Sequence, residues 1–375
     1  MSAIRIPIHR PCVGERELRA VERVFESRWL GSGAVTRQFQ EAVRGLIGVR
    51  HVLAVNTGTA ALHMALHALG VGAGDEVILP SLTFVSSAQA VLAVGARPVF
   101  GDVNSDSLTM DVEDAARKLS PRTRAIMPVH YGGRICDMAS LRALAAGRDI
   151  RLVEDAAHAF GSRSRDGWAG ALGDVGCFSF DPIKNITCGG GGALATNDDG
   201  VAARAGAACN VGVAQDSWSR LDADWPWSYE VAAPGFRYRL SNINAAIGLA
   251  QFERLEEFRA RKQSIVRVYD RAFRDMDGVT AIPNGEGVFP FNYVVRVPAA
   301  WRNPLMAFLR DRGIGSAVQF IPCHLQPLFA GLGGPLPVTE RLYTEIVTLP
   351  LYFEMSDADV EEVVSAVRQF RGGGK

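Results

Sequence analysis

From His51 onward the chain alternates short β-rich apolar runs with amphipathic helical stretches, and nothing else in it restricts the fold as strongly. The strand-like runs are HVLAV, DEVILP, ARPVFGDV, RAIMPVH, IRLVED, VGCFSF and GALATN, and helices of roughly ten to fifteen residues are expected between the first five. Strands separated by helices need crossover connections, which are right-handed and leave the strands parallel. The expected class is therefore α/β, a mostly parallel central sheet flanked by helices. Ligands of such sheets bind outside the carboxyl ends of the strands. His130 after AIMPV, Asp155 after RLVE and Ser179 within CFSF fall at such ends.

A chain of 375 residues has room for two or three domains, and 48% hydrophobic with 21% charged residues is an ordinary globular balance. Its 40 basic residues offset 40 acidic ones, so no strong field draws it to nucleic acid or to an anionic membrane. A small-molecule partner is favoured. No apolar run reaches the ~20 residues of a membrane span, and the start MSAIRIPIHRP lacks the apolar core of a signal peptide. A cytoplasmic protein is expected. The six cysteines are scattered without a CxxC, which fits reduced thiols, and Cys177 and Cys188 read as small buried hydrophobes.

Two helical patterns, GERELRAVERVFESRW and TRQFQEAVRGLIG, precede the first strand and read as an arm and lid. After GALATN comes an irregular stretch from Asn210 to Pro234, then a long helix beginning near Ser241 that reads as a connector. The segments VFPFNYVVRV, PLMAFLRDRG, SAVQFIP and DADVEEVVSAVRQF make a compact C-terminal α/β cap, and the tail RGGGK is expected to fray. The expected division is 1–250, arm and large domain, and 251–375, a smaller α/β domain.

Lys184 stands in CFSFDPIKNITCGGGG, after Asp181 and Pro182 and before four glycines, a shaped loop unsuited to a helix interior. Taken alone it is a surface charge. Set beside Asp155 it reads as the amine that holds an aldehyde cofactor, with Asp155 as the carboxylate that keeps a pyridine nitrogen protonated and not merely a strand-end cap. His158 either bonds the ring hydroxyl or packs. NTGTAALHMALHALG puts Leu62, Leu66 and Leu69 on one helical face, so Gly58 and Thr59 lie at the amino end, where free N–H groups suit a phosphate. An ordinary threonine cap is the other reading. Amine, acid and phosphate cradle together point to pyridoxal 5'-phosphate. His63 and His67 stand at i and i+4 without a third ligand, so a packing role is expected and no metal. GVGAGD ends a helix and GGGG follows a lysine, so neither is a nucleotide-binding loop.

The motifs WLGSGAVTRQFQEAV, NTGTAALHMALHALGVGAGDEVILPSLTFVSSAQAV, VEDAAHAFGS, FSFDPIKNITCGGGG, APGFRYRLSNINAAIGLAQFERL, FIPCHLQP and LPLYFEMSDADVEEVV occur in this order. On them the chain resembles the DegT/DnrJ/EryC1/StrS family of pyridoxal phosphate-dependent sugar aminotransferases, fold type I. It is most similar to the branch that aminates C4 of UDP-linked keto-sugars. The resemblance implies that Lys184 is the imine-forming catalytic residue, Asp155 the ring-nitrogen acid and His158 the contact to the ring hydroxyl. It further implies that Gly58, Thr59 and Ser179 bind phosphate, that Phe84 stacks on the ring, and that Arg237 reaches the phosphate from the partner subunit of a homodimer. Ser32, His130 and His324 are candidate substrate contacts. Glutamate or glutamine is the implied amino donor and a nucleotide-linked keto-sugar the acceptor, by ping-pong transfer, in polysaccharide or antibiotic biosynthesis. The rival readings are a sugar dehydratase on the same fold, in which the lysine is typically a histidine, and a cofactor-binding regulator without turnover. The chain departs from the family at Gly190, where a glutamate is usual, at Gln319, where a histidine is common, and at Arg237, where Asn or Lys is usual.

Overall fold

The computed structural model describes residues 4–213, 227–231 and 233–370. The tail RGGGK and much of the stretch from Asn210 to Pro234 lie outside them. Helices α1 (Glu15–Ser27) and α2 (Ala34–Ile47) come first. They are followed by β1 (His51–Val55), α3 (Gly58–Ala68), β2 (Glu76–Pro80), α4 (Val85–Ala93), β3 (Arg97–Gly101), α5 (Val112–Arg117), β4 (Thr123–Ile126), α6 (Met138–Ala145) and β5 (Arg151–Asp155). A short hairpin, β6 (Arg163–Ser164) and β7 (Gly167–Trp168), precedes β8 (Val175–Ser179) and β9 (Gly192–Thr196). The chain continues through α7 (Asp199–Ala208), α8 (Asn242–Phe252), α9 (Leu255–Phe273), β10 (Thr280–Ala281), β11 (Tyr293–Arg296), α10 (Ala299–Arg310), α11 (Pro337–Glu345), β12 (Ile346–Leu349) and α12 (Asp357–Gln369).

All seven expected strands form, in one sheet ordered β1-β9-β8-β5-β4-β2-β3. The pairs from β8 through β5, β4 and β2 to β3 are parallel, and β9 runs antiparallel to both β1 and β8. Strands β2, β8 and β9 are buried at every position, as expected of a sheet covered on both faces. The intervening helices are shorter than expected. Only α3 reaches 11 residues, while α4, α5 and α6 have 9, 6 and 8. Gly95 after α4 and Gly147 after α6 take left-handed φ values of +82° and +71°, which stop those helices.

The arm-and-lid reading of the first helices is overturned. Phe39, Val43 and Ile47 of α2 are buried in the core beside Phe180 and Ala193, and Ala20 and Val24 of α1 pack on Ala246 and Ala250 of α8. Both helices are therefore packed on the core of the large domain in this structure. The long connector is two helices, since Glu253 and Arg254 interrupt it between α8 and α9.

The C-terminal part is built on the antiparallel sheet β10-β11-β12, which packs Tyr293, Val295, Val347 and Leu349 against Ile265, Tyr269 and Phe273 of α9. Ile6 of the N-terminal segment is fully buried in this core, and the Arg5 amide donates to the Gly313 carbonyl at 2.8 Å. The run SAVQFIP forms one bridge, Ala317 to Thr348, and is otherwise irregular. His63 packs at 4.7 Å from the ring of Phe236, as its apolar helix predicts. Cys177 and Cys188 are buried free thiols. Among the described residues no helix is long and apolar enough to cross a membrane.

Candidate active site

At the carboxyl ends of the parallel strands lies a cavity of about 280 Å³. Gly58 and Thr59 at the start of α3, Phe84 before α4, Asp155 ending β5, His158 just beyond it, Ser179 ending β8 and Lys184 all line it. Seven residues singled out from the sequence thus meet in one place.

The Lys184 loop is held from below. Ile186 and Cys188 are buried in the core, the Thr187 hydroxyl donates to the Phe180 carbonyl at 3.3 Å, and the Asn185 side-chain Nδ2 donates to the Phe289 carbonyl at 3.1 Å. The Lys184 amine projects over the ring of Phe291, 4.5 Å from its centroid. Burial lowers its pKa from the usual 10.5 to about 8, with the opposite charges of Asp155 and Asp181 pulling the other way. Asp155 accepts from the Ser87 hydroxyl at 2.6 Å and from the Ala157 amide at 3.1 Å, and burial raises its pKa. His158 stacks on Phe291 with centroids 4.2 Å apart. The Gly132 amide approaches its Nδ1 at 3.4 Å, and burial, then the charge of Lys184, pushes the ring's pKa well below its usual value, so the ring is neutral and Nε2 carries the proton.

The cap of α3 is the residue before Gly58, not Thr59. Thr57 is the cap, its hydroxyl accepting from the Ala60 amide at 3.0 Å, which leaves the amides of Gly58 and Thr59 turned to the cavity. The hydroxyls of Thr59 and Ser86 are joined at 2.8 Å beside them. A side chain at Gly58 would place its Cβ 2.8 Å from the Ser179 Cβ, so only glycine lets strand β8 and this helix close on the cradle.

Three of the substrate candidates lie elsewhere. His130 is fully buried, its Nε2 2.7 Å from Glu154 while its Nδ1 accepts from the Cys136 amide at 3.2 Å, so it braces strand ends and contacts no ligand. His324 is spent between the Ser81 hydroxyl, at 2.6 Å, and Glu340, at 3.3 Å, tying the loop after β2 to α11. Ser32 accepts from Arg239 at 2.9 Å away from the cavity. Arg237 is exposed and outside its own chain's cavity, with no hydrogen bond or ion pair to a described residue.

Sequence reasoning missed Ser87, Phe291 and Phe320. Ser87 sits one helical turn past Phe84, a spacing that points it at the strand ends. Phe291 and Phe320 come from the C-terminal part, far along the chain. They wall the cavity, with the Phe320 centroid 5.7 Å from that of Phe84, and carry no local signal of that role. Gly190, where the family has a glutamate, also lines the cavity, with no atom within 4 Å of the place a Cβ would take.

The donor set fits pyridoxal phosphate: two helix-terminal amides with hydroxyls for the phosphate dianion, a buried carboxylate for the ring nitrogen, a neutral imidazole N–H for the ring oxygen and an amine for the aldehyde. Fold and cavity together define a pyridoxal phosphate-dependent enzyme of fold type I. Residues 11–368 match the DegT/DnrJ/EryC1/StrS aminotransferase family, and the chain belongs to it as a pyridoxal phosphate-dependent sugar aminotransferase. It is 35% identical to the spore coat polysaccharide biosynthesis protein SpsC of Bacillus subtilis, over 98% of this chain and 97% of that one. Among solved structures it is similar to the aminotransferase TlmJ from Streptoalloteichus hindustanus, at 38% identity and a TM-score of 0.91, covering 97% of this chain and 98% of that one. It is also similar to DesI, solved in the presence of its TDP-sugar product, at 32% identity and a TM-score of 0.86, covering 97% and 92%.

Proposed function

We propose that this enzyme moves the amino group of glutamate or glutamine to a nucleotide-linked keto-sugar, a 4-keto-6-deoxy sugar or a close relative, with Lys184 as its catalytic residue. The observation that carries the reading is the convergence of Lys184 and Asp155 on one cavity whose far end is the α3 cradle. The nucleotide link is supported by DesI and its TDP-sugar, and a role in polysaccharide or antibiotic biosynthesis by the likeness to SpsC and by the sugar-nucleotide chemistry.

Bound in this cavity, pyridoxal phosphate supplies an aldehyde carbon that condenses with amines and a ring that takes up the charge of a carbon losing its proton. The protein's residues do the rest. Gly58, Thr59 and Ser179 hold the phosphate, Asp155 keeps a proton on the ring nitrogen, and His158 donates Nε2–H to the ring oxygen. Phe84, Phe291 and Phe320 exclude water from the reacting side. Lys184, with its pKa lowered to about 8, would take up, as the neutral amine, the proton from the donor's α-carbon and, as an ammonium, pass it to the cofactor carbon that was the aldehyde, so that the donor leaves as a keto acid. One side chain serves as anchor, base and acid in both halves of a ping-pong cycle.

In this reading the enzyme is a cytoplasmic homodimer in which Arg237 of each subunit reaches the other's phosphate. It divides near the α8–α9 break into the two parts expected, with residues 4–8 joining the smaller. The test is absorbance. Mixing the purified holoenzyme with glutamate should convert the cofactor's visible band to that of its amine form, and Lys184→Ala should lack the band from the outset. A wild-type protein whose spectrum ignores both glutamate and glutamine would refute the assignment.

A further inference from the structure

His9 stands outside the main cavity and has no part in the chemistry above, yet it touches both segments that hold His158. The His158 imidazole lies nearly parallel to two phenyl rings of the C-terminal part. Phe291 is 4.2 Å away with 20° between the planes, and Phe320 is 5.8 Å away with 29°. Among the described residues the hydrogen bond printed for this imidazole is the long one from the Gly132 amide, at 3.4 Å. A contact of that length fixes a ring weakly, so the direction of its Nε2–H depends on the two phenyl planes. Those planes are braced from behind. His9 stacks on Phe291, with centroids 4.8 Å apart and 18° between the planes. Its Nε2 lies 3.5 Å from the side-chain nitrogen of Gln319, which can only donate, so Nε2 accepts. Gln319 precedes Phe320, and its Oε1 accepts from Nδ2 of Asn292, the residue after Phe291, at 3.0 Å. His9, Gln319 and Asn292 thus tie the two ring-bearing segments together. The segment carrying His9 is itself fixed to the C-terminal part, where the Gly315 amide donates to the Ile6 carbonyl at 2.8 Å and the Leu351 amide to the Ile8 carbonyl at 3.0 Å.

We propose that His9 is a positioning residue: stacked on Phe291 and bonded to Gln319, it fixes the spacing of the Phe291 and Phe320 rings and so the direction in which the His158 imidazole points. Without its ring, Phe291 tilts into the space left behind and His158 turns with it. A donor turned away from its acceptor loses most of the bond, because hydrogen bonds weaken steeply as the angle at the proton closes. A group that contacts a ligand is held only as firmly as the side chains that support it.

The inference rests on the reading that His158 donates to the cofactor's ring oxygen, and the probe is chosen to be independent of Lys184. Pyridoxamine 5'-phosphate keeps the ring, its oxygen and the phosphate but has no aldehyde, so it binds full-length, cofactor-free protein without condensing with any lysine. Calorimetry gives its dissociation constant for wild type, His9→Ala, His9→Phe, His158→Ala and the double variant His9→Ala/His158→Ala. His9→Ala should weaken binding about tenfold, the worth of one hydrogen bond to a charged acceptor. His9→Phe keeps a flat ring against Phe291 and should stay within about threefold of wild type. Once His158 is gone, His9→Ala should change binding by less than about twofold, since the two residues act in series. Should His9→Ala lack a cooperative melting transition, His9→Leu fills most of the space without a flat face and should show the same loss. A folded alanine or leucine variant that binds like wild type, or whose loss is as large without His158, overturns the role of His9. A His158→Ala variant that binds like wild type overturns the placing of His158 and this inference with it. A wild type that shows the expected cycle but whose visible band ignores glutamate and glutamine overturns the aminotransfer reading alone and leaves His9 in its role.

Discussion

At residue 58 one absent carbon lets a helix terminus and a strand end close on one cavity. Two effects of Gly58→Ala oppose each other: alanine improves helix propensity by up to about 1 kcal/mol, while the added Cβ meets Ser179 at 2.8 Å and its Cα at 3.2 Å. The strand backbone cannot rotate away as a side-chain tip would, and overpacking of this kind costs about 1–3 kcal/mol. The clash should win. The variant should melt below the wild type and release pyridoxal phosphate at least about tenfold more readily, read by dialysis and the cofactor's absorbance. His9 offers a pH signature. Burial, then the charges of Lys262 and Lys184, lowers its pKa from 6.5 to about 3, so the folded protein declines a proton that the unfolded chain accepts. The stability this represents is whole above about pH 6.5 and drains away as pH falls toward 3, by up to about 2 kcal/mol at pH 5. His9→Phe keeps the ring stacked on Phe291, at 4.8 Å, and removes the titration. Its melting temperature should therefore fall less between pH 7 and 5 than that of the wild type, and equal slopes would show that His9 titrates normally.

At the scale of elements, the end of β5 divides its labour between adjacent residues. Asp155 faces the cavity, and Glu154, pointing to the other face as strand geometry requires, is fully buried. It accepts from His130 at 2.7 Å and from the amides of Gly170, Leu172 and Gly173 at 2.8, 2.7 and 2.6 Å. Glu154→Ala would leave a histidine and three amides unpaired in the interior, a loss of about 3–5 kcal/mol that a urea melt should report as a lower midpoint. The pair RLVED with AIMPVH shows what the sequence could and could not reveal. Apolar runs of four or five residues identified every strand of the large sheet, and strand ends identified where chemistry would gather. Which of two consecutive acids faces the ligand depends on register, and His130, read as a substrate contact, proved to be Glu154's partner. His324 failed for the same reason: a polar residue at a loop shows its type, while its direction is set by α11, which no periodicity announced. Phe291 and Phe320 were invisible as site residues because their place is fixed by packing between parts of the chain a hundred or more residues apart.

For the whole molecule, the mouth of the cavity carries the argument. Phe84 is 55% exposed and Ile183 40% exposed at its rim, beside a cradle whose only described cation is Lys184. A phosphate dianion held by amides and hydroxyls alone has no neighbouring cation to balance its charge. Arg237 is exposed and outside that cavity, which is where a side chain serving a second copy would stand. If the subunits share their sites, Lys184→Ala and Arg237→Ala each disable every site in their own homodimer, the second by weakening its hold on the cofactor. Unfolding the two together and refolding them as a mixture makes about half of the dimers hybrid. In each hybrid one site has both defects, and the other joins the intact Lys184 of one chain to the intact Arg237 of the other. Activity at limiting pyridoxal phosphate should return to about a quarter of the wild-type value, from near none in either parent. A mixture no more active than the average of its parents would mean that each subunit builds its site alone, and Arg237 would then have no part in holding the phosphate.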